Sequence, residues 1–81
     1  MVSGKQKAGI DLLEEGQKLL NENKYGESAS THEQALAIFK EDNFRDGIRT
    51  TSGNLYLIYL TLGNQEKAQE YLQAFRESDY E

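Results

Sequence analysis

The sequence predicts an all-α fold: four antiparallel helices arranged as two tandem helix-turn-helix hairpins. Three observations carry this reading. Proline is absent, which removes the strongest helix breaker. Apolar residues recur three and four apart in four successive segments, the spacing of one helical face. Between those segments stand short clusters rich in Asn, Asp and Gly, at 21–24, 42–45 and 63–64, and such residues punctuate helices.

Residues 1–6 have no periodicity and read as a flexible leader. Over 7–21, Ile10, Leu12, Leu13, Leu19 and Leu20 fall on one broad face around Gly16. A glycine inside a helix costs roughly 1 kcal/mol against Ala, so another backbone is expected to approach there. The second helix, over 25–41, carries Tyr25, Ser28, Ala29, His32, Ala35, Leu36 and Phe39 as its inward stripe, with Glu27, Glu33, Gln34 and Lys40 outward. Asn43 followed by Asp46 resembles a capping box at the start of the third helix, with Asp in the usual Glu place.

That third helix, over 45–62, changes character along its length. Its first half is polar, with Ile48, Thr51, Ser52 and Leu55 on one stripe, and its second half, LYLIYLTL, is apolar nearly all round. The octet also fits a buried strand, which periodicity alone does not separate from a helix. A lone strand would lack a pairing partner in a chain whose other segments read as helix. Gly63 suits a left-handed helix terminus, and Asn64 can cap the fourth helix over 65–77, which buries Ala68, Tyr71, Leu72 and Phe75. Residues 78–81 read as a loose acidic tail.

Eighty-one residues make one domain at most, close to the size at which a core needs no staples. Without cysteine neither disulfides nor thiolate metal sites are available, which fits a reducing compartment, and a cytoplasmic location is expected. A formal charge of −5 disfavours nucleic acid, whose phosphates a binder must neutralise, and acidic membrane surfaces likewise. No signal peptide is recognisable, and the apolar run at 55–60 is too short to span a bilayer.

Little in the chain points to catalysis. His32 is the only histidine and stands on an inward stripe, where it reads as a packed aromatic; a metal site or acid–base dyad would need partners. The adjacent pairs Glu14–Glu15 and Glu41–Asp42 point about 100° apart on a helix and read as solvated surface. GKQKAG at 4–9 has the wrong order for a phosphate loop. No enzyme activity, cofactor or metal is expected.

The turns at Asn23 and Gly63 lie 40 residues apart, and at that offset Leu20 recurs as Leu60, Leu19 matches Tyr59 and Ser28 matches Ala68. The order of large and small residues is more telling. GQKLLNENKYGESASTHEQAL supplies Gly16, Leu19, Tyr25, Ser28 and Ala35, and NLYLIYLTLGNQEKAQEYL supplies Leu55, Tyr59, Gly63, Ala68 and Leu72. In this order the chain resembles the tetratricopeptide repeat family, in its subgroup with units of about 40 residues, found in cargo-adaptor and signalling scaffolds. The resemblance covers nearly the whole chain, with one repeat at 8–41 and another at 45–77. Three positions depart from the pattern: Tyr56 where a small residue is usual, Glu15 in place of Leu, and Phe75 in place of Ala.

The resemblance implies an α-solenoid fragment whose first helices line a concave face that takes up peptides or helical segments. Carried over by register, that face comprises Leu13, Gln17, Leu20 and Asn21 with Gly53, Asn54, Leu57, Leu60 and Thr61, flanked by Ile10 and Thr50. The basic clamp of chaperone-binding members is missing, because Leu13 stands in place of Lys and Gln17 in place of Asn. The expected groove is apolar and amide-bearing, suited to a hydrophobic or amphipathic segment of a protein partner. The same leucines also suit packing against another helix of one assembly, so a homodimerising structural unit is the alternative. Stacks usually carry a polar cap; none is recognisable here, so Tyr71, Leu72 and Phe75 are expected to expose an apolar end. Self-association through that end or through the concave face follows. Leu55, Tyr59 and Leu62 are assigned to inner packing.

Overall fold

The computed structural model describes residues 3–78. Its elements are α1 (Gly4–Asn21), α2 (Tyr25–Glu41), α3 (Arg45–Thr61) and α4 (Gln65–Glu77), with no strand among the described residues. The octet at 55–62 is therefore helical as far as Thr61. Loops of three residues turn each helix back along its predecessor. α1 pairs with α2 and α3 with α4, α2 packs on α3, and α1 meets α3 only along a narrow seam.

All three loops share one construction. The middle residue is left-handed in each: Asn23 at φ 63°, Asn43 at 52° and Gly63 at 79°. The N–H of the following residue then reaches back to a carbonyl in the last helical turn, Lys24 to Leu19 (2.9 Å), Phe44 to Phe39 (2.9 Å) and Asn64 to Tyr59 (2.8 Å). The left-handed residue itself donates to Leu20, Lys40 and Leu60 respectively. This is the Schellman arrangement, which satisfies carbonyls that a helix end leaves unpaired. It recurs every 20 residues, twice as often as the repeat legible in the sequence. Asn43 thus terminates α2. The expected capping box does not form, since the residue preceding α3 is Phe44, which makes no side-chain cap. Only Asn64 caps as anticipated, accepting from the Lys67 N–H at 3.1 Å.

α1 begins three residues before the expected start. Ser3 accepts from the Gln6 N–H (3.0 Å) and donates to Asp42 (3.1 Å), while Lys5 pairs with Glu41 at 3.4 Å. Residues 4–6 of the expected leader therefore form the first turn of α1, tied to the end of α2. Met1 and Val2 lie outside the described residues, as do positions 79–81 of the expected tail; Ser78 ends α4, its hydroxyl donating to the Phe75 carbonyl.

Ala29, Leu36, Leu55 and Ile58 make the core, with Leu20, Tyr25, Ile48, Tyr59 and Tyr71 packed around it. Phe39 is fully buried, and its ring occupies the space that side chains on Gly9 of α1 and Gly47 of α3 would take. Gly16 plays the same part for the His32 ring. An imidazole, not a neighbouring backbone, explains that glycine. The small residues Ser28, Ala35 and Ala68 are fully buried, as close helix crossings require.

On its outward side α4 is polar. Its one buried residue is Ala68, and Glu66, Gln69, Gln73 and Glu77 are exposed. Tyr71 stacks on Tyr59 with centroids 5.8 Å apart, and Phe75 lies over Gly53 beneath the Arg49 guanidinium. Tyr71, Leu72 and Phe75 are thus half-buried, short of the burial the sequence suggests for α4, and the end expected to be apolar is covered only in part. Leu62 departs from its assigned role in the opposite sense: it caps the end of α3, outside the packed stripe, and is 45% exposed.

Candidate functional site

Among the described residues, the large apolar side chains left exposed are Leu57, Leu60 and Leu62, all at the end of α3. Two depressions flank this stretch. The smaller, of about 100 Å³, is walled by Leu20, Tyr25, Asn54, Leu57, Ile58 and Thr61, between α1 and α3. The larger, of about 370 Å³, lies between α3 and α4 against Thr50, Gly53, Asn54, Tyr56, Leu57, Leu72 and Phe75, with Arg49 at its margin. Asn54 and Leu57 belong to both, so they form the ridge between them.

Of the residues expected on the binding face, Leu20, Asn54, Leu57 and Thr61 meet at the smaller depression, and Gly53, Asn54 and Leu57 at the larger. Leu13, half-buried, and Gln17, Asn21 and Leu60, exposed, line neither. The Thr61 hydroxyl donates to the Leu57 carbonyl of its own helix at 3.0 Å. Sequence reasoning missed Tyr56, Leu72 and Phe75. Tyr56 and Phe75 are two of the three departures from the repeat pattern, and a large residue in place of a small one on facing helices was the available signal.

Asn54 is held from below. Its Nδ2 lies 3.3 Å from His32 Nε2, and His32 Nδ1 lies 2.9 Å from the Ser28 carbonyl. A carbonyl only accepts, so the imidazole proton resides on Nδ1 and Nε2 accepts from the Asn54 amide. The Ser28 hydroxyl, 3.2 Å from Nδ1, donates in turn to the Gly16 carbonyl at 2.7 Å. One chain of hydrogen bonds thereby joins α3, α2 and α1. Burial holds His32 below its ordinary value of 6.5, opposed by the Ser28 carbonyl, which favours the protonated ring. The expected packed aromatic is therefore also a polar link between the hairpins.

A second polar cluster lies on α2, α3 and α4. Tyr59 and Tyr71 both donate to Glu33 Oε2, each at 2.8 Å, and Lys67 Nζ stands 3.7 Å from the same oxygen. Glu33, expected on the solvent side, instead joins the two hairpins. Burial first, then the Glu33 carboxylate, pushes Tyr59 up to about 12, and the same causes raise Tyr71. Both hydroxyls therefore keep their protons near neutral pH. Among the described residues no group of acidic side chains and histidine is arranged to hold a metal ion, and no helix is long and apolar enough to cross a membrane.

Compared with protein-family models, with curated proteins and with solved structures, the chain matches none.

Proposed function

We propose that this chain is a non-catalytic protein–protein interaction module of the tetratricopeptide-repeat type, binding a peptide or helical segment of a partner along α3. One observation carries the reading: the exposed large leucines gather at one end of α3, beside two depressions that share Asn54 and Leu57. Isolated exposed leucines are ordinary on protein surfaces, whereas a cluster beside an apolar concavity favours an occupant. Apolar walls with one side-chain amide between them suit an amphipathic helix or an extended apolar segment.

The test is selection from a displayed random-peptide library on the wild-type chain, with a Leu57→Glu/Leu60→Glu double variant as counter-screen. Both residues are exposed, so the variant keeps its helical spectrum and melting temperature while losing the selected peptides. Peptides that bind both forms equally would remove α3 as the binding face. Sedimentation of the two proteins separates the alternative: a wild-type dimer dissolved by the double variant, with no peptide selected, identifies a homodimerising unit instead.

A further inference from the structure

The hydrogen-bond chain beneath the ridge ties the chemistry of the proposed binding face to a buried titratable group. Asn54 has one amide atom committed, Nδ2 to His32 Nε2. Its Oδ1 takes no hydrogen bond among the described residues and is not among the buried unpaired oxygens, while the residue lines both depressions. With neutral His32, the ridge therefore offers an acceptor.

We propose that protonation of His32 turns the Asn54 amide over, so that acid converts the group offered at the centre of the α3 face from a hydrogen-bond acceptor to a donor. The inference rests on the reading of α3 as the binding face. Its logic is the fixed polarity of the chain. The Ser28 carbonyl holds a proton on Nδ1 in both charge states, so an added proton can only go to Nε2. Nε2–H would then confront the Asn54 NH2, donor against donor. Half a turn about the terminal amide torsion, which is broad and two-fold, brings Oδ1 to accept from Nε2–H and sends the NH2 to the face. A ligand that donates to Asn54 is released in acid, and one that accepts is captured.

The groups around the ring leave this proton to the Asn54 contact. α1 contributes Gly16, whose neighbour Glu15 is exposed; α3 contributes Asn54, with Arg49 over the Phe75 ring; and on α2 itself Glu33 is taken by the two tyrosines and Lys67. Burial and the Ser28 carbonyl are the influences on its proton affinity.

The experiment follows the ring nitrogens of His32 and the side-chain amide of Asn54 by NMR in the ligand-free chain as pH is lowered from neutrality. The expected result is a proton on Nδ1 throughout, protonation of Nε2 below pH 6.5, and Asn54 NH2 resonances that move with the same midpoint while the backbone spectrum stays folded. Stationary Asn54 resonances through that midpoint overturn the proposal, and so does unfolding before Nε2 is protonated. In Asn54→Asp a carboxylate faces Nε2, so the midpoint rises by about one unit, tenfold in proton affinity; an unmoved midpoint in a folded variant also overturns it. No ligand enters these measurements. Failure of the binding reading in the peptide selection would leave the Asn54 titration standing, and the two failures are thus distinct.

Discussion

A methyl group placed on Gly47 would lie 2.6 Å from Cγ of Phe39. The two residues are a notch and the ring that fills it, and Gly9 forms the opposite side of the same notch. Glycine inside a helix weakens it, yet here it lets a fully buried aromatic sit between α1 and α3. Gly47→Ala is therefore expected to destabilise by about 2 kcal/mol, as overpacking does. Gly26→Ala, where nothing lies within 4 Å of the new Cβ, should instead gain about 0.5 kcal/mol of helix propensity. Urea unfolding of both variants checks the contrast, and equal effects would mean the notch is not tight.

The Schellman loops predict a graded response to substitution. Gly63→Ala places a Cβ at φ 79° and should cost about 1 kcal/mol, whereas Asn23→Gly and Asn43→Gly relieve a left-handed non-glycine and should be neutral or stabilising. Thermal midpoints of the three variants test this directly.

Stability should fall in mild acid because of His32. Its folded value lies below its unfolded 6.5, so as pH drops the unfolded chain takes up a proton first. The contribution is complete above about pH 6.5 and is lost as pH falls from there towards the folded value. Denaturant midpoints between pH 7.5 and 5.5 should decline in the wild type and hold level in His32→Leu; parallel slopes would contradict it.

The Glu33 cluster makes a prediction at the other end of the pH scale. Tyr59 titrates near 12 when folded, above its ordinary 10.0, so its contribution is intact below pH 10 and is lost as pH rises through 12. In Glu33→Gln, ultraviolet titration should show Tyr59 ionising at lower pH without returning fully to 10.0, because burial remains. Tyr71→Phe should cost about 1.5 kcal/mol, the low end for a hydrogen bond to a charged group, since Glu33 keeps some contact with water.

Thr51 and Ser52 are fully buried, and neither hydroxyl has a hydrogen-bond partner. Ser52→Ala and Thr51→Val remove an unpaired polar atom at little change in volume and should be neutral or stabilising by up to about 1 kcal/mol. A loss of stability in calorimetry would show that a partner for these hydroxyls exists in solution.

The boundaries of α2 and α4, the cap at Asn64 and the left-handed Gly63 were legible in the sequence because each depends on a few adjacent residues. So was the inward stripe of α2, since helical spacing alone brings Ser28, Ala29, His32, Ala35, Leu36 and Phe39 to one side. Asn43 was misread for a local reason: Asn both caps helices and adopts the left-handed conformation, and the three-residue loop decides between them.

What the sequence by itself determined is therefore the all-helical class, the two hairpins and the inward stripe of α2, whereas Ile10, Leu12 and Leu13 of α1 and Tyr71, Leu72 and Phe75 of α4, expected inside, are only half-buried. Tertiary structure decided which neighbour each special residue meets. Gly9, Gly16 and Gly47 became notches only once Phe39 and His32 were set against them, and Glu33 became a junction only when two tyrosines from α3 and α4 reached it. The candidate face divides the same way. Leu57 and Asn54 could be placed on it by register, but the walls contributed by Tyr56, Leu72 and Phe75 required the pairing of α3 with α4. Periodicity fixes direction around one helix axis, while contact between helices depends on distances that no single helix contains.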